Sequence, residues 1–89
     1  MFTQQNPPKY SKQAEKFLKK QSQKTALRII NAINKLPEGD VKKLRGFKNL
    51  YRLKVGDYRV KFTYDKDDNR IVVEEVDTRG GIYKMGVIL

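Results

Sequence analysis

The stretch NLYRLKVGDYRVKF, residues 49–62, constrains the fold of this chain more than any other segment. Successive side chains on a strand point to opposite faces of the sheet. Tyr51, Leu53 and Val55 therefore share one face, and Arg52 and Lys54 share the other. Beyond Gly56-Asp57, Tyr58, Val60 and Phe62 repeat the apolar face, while Arg59 and Lys61 repeat the basic one. A two-residue Gly-Asp connection predicts a β-hairpin in which Lys54 lies opposite Arg59 and Arg52 opposite Lys61. Like charges set directly opposite each other on a sheet cost a few tenths of a kcal/mol, up to ~1 kcal/mol per pair. A hairpin that accepts this cost on one face points to a partner that is an anion.

The remaining composition agrees. The net charge is +10 over 89 residues, and Lys42 to Lys54 contains six Lys/Arg and no acid. Such a balance suits a polyanion, either nucleic acid or an acidic protein. Lys12, Lys16, Lys19, Lys20 and Lys24 read instead as solvated helix surface. The length fits one domain, residues 1–89, near the lower end of sizes that bury a core of their own. With no cysteine there is no disulfide framework or thiolate site. The N-terminal MFTQQNPPKY lacks the apolar core of a signal peptide, and nothing approaches the ~18 consecutive apolar residues of a membrane span. A soluble, cytoplasmic protein is expected.

Ser11 is a candidate N-cap, followed by Ala14, Phe17 and Leu18 at helical spacing, which predicts a helix near 11–20. Ala26, Ile29, Ile30, Ile33 and Leu36, widened by Leu27, predict a second helix near 24–36, ended by Pro37-Glu38-Gly39. Residues 41–47 read as a basic connector or a short strand, and strands are expected near 50–55, 58–64 and 70–76. A first strand is placed loosely at 1–5, short or irregular because the nearby prolines donate nothing to a ladder. Asp65 to Asn69 is a hairpin turn, and Gly80-Gly81 is a turn as well. The expected fold is α+β and two-layered: two N-terminal helices packed on one face of a mostly antiparallel sheet of three to four strands. The other face carries the cations.

Chemistry is narrowed by what is missing. Without His or Cys there is no imidazole catalysis and no ordinary zinc site. Glu74 and Glu75 are expected to alternate across their strand, and Asp57 is the one acid expected near the basic face. Neither cofactor nor metal is expected. A Lys/Arg/Tyr set can still cleave RNA, whose 2′-hydroxyl is an internal nucleophile. Arginine forks match phosphate oxygens, and crowding by Arg52 and Arg59 is expected to lower the pKa of Lys54 and make it a usable base. Tyr83 could stack on a base or hydrogen-bond a phosphate; alone it reads as a rim aromatic, and Arg79 alone as a surface arginine.

Together, Lys43-Leu44-Arg45-Gly46, Leu50 to Val60 and Asp77-Thr78-Arg79-Gly80-Gly81-Ile82-Tyr83-Lys84 resemble the RelE branch of the RelE/ParE toxin superfamily. The likeness runs over essentially the whole chain and is most specific in the hairpin and the Arg-Gly…Tyr tail. It implies the toxin of a toxin–antitoxin pair that enters the ribosomal A site and cuts mRNA without a metal. By that resemblance Lys54 is the general base and Arg79 the general acid or charge stabiliser. Arg59 and Arg52 grip the phosphate, and Tyr83 orients the nucleotide. Lys61, Lys43, Arg45 and Lys48 supply further RNA contacts. Arg52 stands where the best-known members carry lysine, which keeps the charge. The implied partners are an acidic antitoxin, the ribosome and mRNA, with no membrane and no small-molecule cofactor. Two alternatives remain: a ParE-like toxin that poisons DNA gyrase by binding, and a non-catalytic basic RNA-binding module.

Overall fold

The computed structural model describes residues 4–46 and 49–78. The elements run β1 (Lys9–Tyr10), α1 (Lys12–Lys19), α2 (Gln23–Asn34), β2 (Asp40–Lys43), β3 (Leu50–Val55), β4 (Tyr58–Asp65) and β5 (Arg70–Thr78). Among the described residues the sheet has five strands in the order β1-β5-β4-β3-β2, one or two more than expected from the sequence. The β1–β5 pair is parallel and the other three described pairs are antiparallel.

The two extra strands sit at the edges, where sequence signals are weakest. β1 lies after Pro7-Pro8, where the chain has donors again; of the strand expected at 1–5, Gln4 and Gln5 are outside the sheet and residues 1–3 lie outside the described residues. Gln4 and Gln5 serve elsewhere. The Gln4 side-chain amide donates to Ile33 O and Leu36 O, each at 2.9 Å, closing the end of α2. Gln5 N donates to Asn69 O in the β4–β5 turn. Of the 41–47 segment, residues 41–43 form a strand with Asp40, pairing Asp40 with Lys54 and Lys42 with Arg52, while 44–46 turn away and 47 lies outside the described residues.

Both helices start on serine. Ser11 Oγ accepts from Ala14 N and Ser22 Oγ from Thr25 N, each satisfying one of the orphan donors of a first turn. Their apolar stripes meet one face of the sheet. Ala14, Leu18, Ile29, Ile33 and Leu36 pack with Leu53, Val55, Val60, Phe62, Ile71, Val73 and Val76. Tyr51 stacks on Phe62 across the hairpin, and Phe17 meets Tyr58 edge-on. Leu27 does not widen the stripe; it is 49% exposed. At position 27 it lies off the arc that carries Ile29 and Ile33.

A β-bulge in β5 decides which acids reach the face away from the helices. Lys61 pairs with Glu75, but Phe62 pairs with Val73, so Glu74 is the extra residue. The insertion lets Val73 and Val76 both enter the core. Helix α1 holds the bulge from the side. Ser11 N donates to Val73 O at 2.9 Å, and Ser11 Oγ donates to Glu74 O at 2.7 Å. The Gln13 side chain both donates to Val76 O and accepts from Val76 N, at 2.9 Å each.

Candidate functional site

The hairpin register is the one its alternation predicts: Lys54 opposite Arg59 and Arg52 opposite Lys61. Gly56, with φ of 59°, and not Asp57 supplies the positive φ of the two-residue turn, the requirement of a II′ geometry. Helices α1 and α2 pack on the apolar side, so Arg52, Lys54, Arg59 and Lys61 share the opposite side of the sheet. β2 adds Lys42 beside Arg52.

Neighbouring strands bring acids that the sequence pattern did not disclose. Asp40 pairs with Lys54, Asp77 with Arg59, and Glu75 with Lys61. The expectation that Asp57 is the one carboxylate near this face is therefore corrected. So is the alternation of Glu74 and Glu75. The bulge turns both to the cationic side, where Thr63 Oγ1 donates to Glu74 Oε2 at 3.1 Å and Lys61 Nζ lies 3.0 Å from Glu75 Oε1.

The four cations consequently differ in their surroundings. Arg59 is 7% exposed, and its Nη1 donates to Gly56 O at 2.9 Å and Tyr58 O at 3.0 Å, so the guanidinium closes the hairpin turn. Lys61 is held by the buried Glu75 carboxylate. Arg52 reaches Asp40 at 3.9 Å, a loose contact. Lys54 alone of the four is exposed, and no carboxylate among the described residues forms an ion pair with it. On the other side of the turn, the Arg28 guanidinium of α2 packs so close to Gly56 that a Cβ there would lie 2.7 Å from Nη2.

The remaining expected site residues fall in three places. Lys43 pairs with Tyr51, whose ring faces the core, so its register sets it apart from the cationic rows; Lys42, which was not among the expected contacts, takes the place beside Arg52. Arg45 is exposed in the turn after β2. Lys48, Arg79 and Tyr83 lie outside the described residues. The missed acids carried one sequence signal: Val73 and Val76, three apart, share a face of a strand only across a bulge. No helix among the described residues is long and apolar enough to cross a membrane.

A family model described as the ParE toxin of type II toxin–antitoxin system, parDE, matches residues 9–83. A curated relative, the Putative toxin RelE1 of Methanocaldococcus jannaschii, is 36% identical over 45 residues, 51% of this chain and 50% of its own. The matched segment thus spans about half the length of that relative. Among solved structures, a chain of the RelB-RelE antitoxin-toxin complex from Methanococcus jannaschii superposes with a TM-score of 0.71 at 27% identity. That match covers 88% of this chain and 98% of the other. The archaeal RelE-RelB complex from Pyrococcus horikoshii OT3 gives 0.68 at 28% identity, covering 90% and 98%.

Proposed function

The chain belongs to the ParE toxin family of type II toxin–antitoxin systems, and from that premise we propose that it is a RelE-type toxin that cleaves mRNA on the ribosome. The supporting observation is the division of labour on the cationic face. Arg59 and Lys61 are held by backbone carbonyls and by a carboxylate, Arg52 lies loosely against Asp40, and Lys54 stands exposed beside them. Braced cations suit a phosphate seat, since little side-chain freedom is lost on binding. A free lysine at its edge suits proton transfer.

The reaction is transesterification. Lys54, as general base, takes the proton of the substrate 2′-hydroxyl as the 2′-oxygen attacks the adjacent phosphorus. The phosphorus–O5′ bond breaks, leaving a 2′,3′-cyclic phosphate on one fragment. Arg79 stabilises the charge on the departing 5′-oxygen or supplies its proton. Arg52 and Arg59 hold the non-bridging oxygens, and Tyr83 orients the nucleotide. Lys61, Lys42 and Arg45 extend the phosphate track, to which Lys43 and Lys48 add charge. No step uses a metal. An acidic antitoxin masks the same face until it is removed, in line with the net charge of +10 and with the RelB-RelE pairs that the solved structures contain.

The ParE description of the family model favours one second reading, a toxin that poisons DNA gyrase by binding alone. Primer-extension mapping of mRNA on programmed ribosomes, with EDTA present, separates the two. The nuclease reading expects cleavage that a 2′-deoxy substitution at the cut nucleotide abolishes. It also expects a loss of about 10²–10⁴ in rate for Lys54→Ala and for Arg79→Ala. Cleavage that EDTA stops, or that Lys54→Ala leaves undiminished, refutes the mechanism. No cleavage together with gyrase inhibition establishes the alternative.

A further inference from the structure

The acids that border the cationic face suggest what shape of polyanion it accepts. Lys42, Arg52 and Lys61 lie side by side across β2, β3 and β4, and the next strand ends the row with Glu75. One row along, Lys54 and Arg59 are followed on β5 by Asp77. The bulge adds Glu74, exposed and turned to the same side by its bond to Thr63. The side of β5 that borders the cations is therefore a column of carboxylates.

The column is not a cation site: among the described residues no three carboxylates gather closely enough to share a metal ion. Glu75 is committed to Lys61, and its other oxygen, Oε2, is buried without a hydrogen-bond partner. Burying an acceptor in this way costs stability, as does packing two further acids beside it.

We propose that the β5 carboxylates Glu74 and Asp77, on either side of the Glu75 that pairs with Lys61, form a repulsive rail that favours one single-stranded nucleic-acid backbone on the cationic band over a duplex laid across β5. The band spans β2 to β4, two inter-strand spacings, or roughly 10 Å. That is room for a single phosphate track. A duplex brings a second row of phosphates a groove's width away. On the β2 side that row passes beyond the sheet edge and gains no contact with the sheet, and on the β5 side it meets the rail. Lys9 of β1 lies outside the rail, paired at the level of Val72, and does not interrupt it. Discrimination then comes from like-charge repulsion of the wrong shape rather than from extra contacts to the right one.

This rests on the RNA-binding part of the proposed function but not on cleavage, so the test reads binding alone. Full-length protein is titrated into a labelled single-stranded oligoribonucleotide and into a duplex of equal length, with fluorescence anisotropy as readout at two salt concentrations. Glu74→Gln/Asp77→Asn neutralises the two rail positions that hold no cation. Glu15→Gln/Asp67→Asn, on α1 and in the β4–β5 turn, makes the same change in net charge away from the face. Wild type is expected to favour the single strand. The rail variant should gain roughly tenfold in duplex affinity and far less for the single strand, while the control moves both equally. Equal gains for both ligands in the rail variant, or a wild type that binds duplex as well as single strand, overturn the rail. A wild type that binds neither overturns the rail and the RNA reading together. Retained strand discrimination without ribosomal cleavage overturns the nuclease alone.

Discussion

Lys61→Met isolates the ion pair on which the cationic face is built. Lys61 Nζ and Glu75 Oε1 are 3.0 Å apart, with side chains 15% and 9% exposed. Removing one partner of a buried pair strands the other charge, typically at 3–5 kcal/mol. Lys61 keeps some contact with water, so the expected loss is at the lower end, about 2–4 kcal/mol. Glu75 has no second donor to fall back on, because its Oε2 is already without one. Lys61→Met should therefore cost more than Glu75→Gln, which leaves a long lysine able to reach solvent. Lys61→Met/Glu75→Leu removes both charges and should recover to within about 1 kcal/mol of wild type, since apolar replacement of a buried pair is often neutral or better. Urea unfolding followed by circular dichroism measures all four proteins. A domain of this size has an m-value near 1 kcal/mol/M, so the Lys61→Met midpoint should fall by about 2–4 M. A single variant within ~0.5 kcal/mol of wild type would refute the reasoning. So would a double variant no more stable than Lys61→Met, because removing the stranded carboxylate would then recover nothing.

Two further outcomes test the scaffold. Ile33→Ala empties a fully buried site on α2 and should cost about 2–5 kcal/mol by urea unfolding, enough to leave part of the population unfolded at 37 °C. Gln13→Ala removes both side-chain bonds to Val76. It should cost about 1–3 kcal/mol and raise hydrogen exchange at the Val76 amide ahead of amides in the β3–β4 ladder.

Periodicity is what made parts of this fold legible in the sequence. The hairpin is legible to the residue, because a two-residue alternation and a Gly-Asp turn leave one register that buries Tyr51, Leu53, Val60 and Phe62 together. Both helices are legible from their stripes and α1 also from its Ser11 cap, whereas the Ser22 cap of α2 emerges only in the structure. The edge strands are not, since β1 has two residues and its position is set by where Pro7-Pro8 ends and β5 offers carbonyls. Which of Lys42 and Lys43 joins the cations depends on the pairing of β2 with β3, a contact between segments separated by a turn with no short-hairpin signature. Alternation alone makes Arg59 an open cation. Its long side chain instead folds back onto the carbonyls of Gly56 and Tyr58, a choice that the strand pattern does not encode.

The apparent cost of four crowded cations is resolved across strands rather than along them. The row Asp40, Lys54, Arg59, Asp77 carries two charges of each sign, with the acids at its ends. The row Lys42, Arg52, Lys61, Glu75 carries three positive charges and one negative. Repulsion within the hairpin is thus offset by acids on β2 and β5, while an excess of positive charge survives in one row only. In the proposed reaction, a phosphate over the uncompensated row would have Lys54, one row away and exposed, beside it rather than beneath it. That offset is the arrangement a base needs to reach a ribose hydroxyl next to a phosphate held by its neighbours.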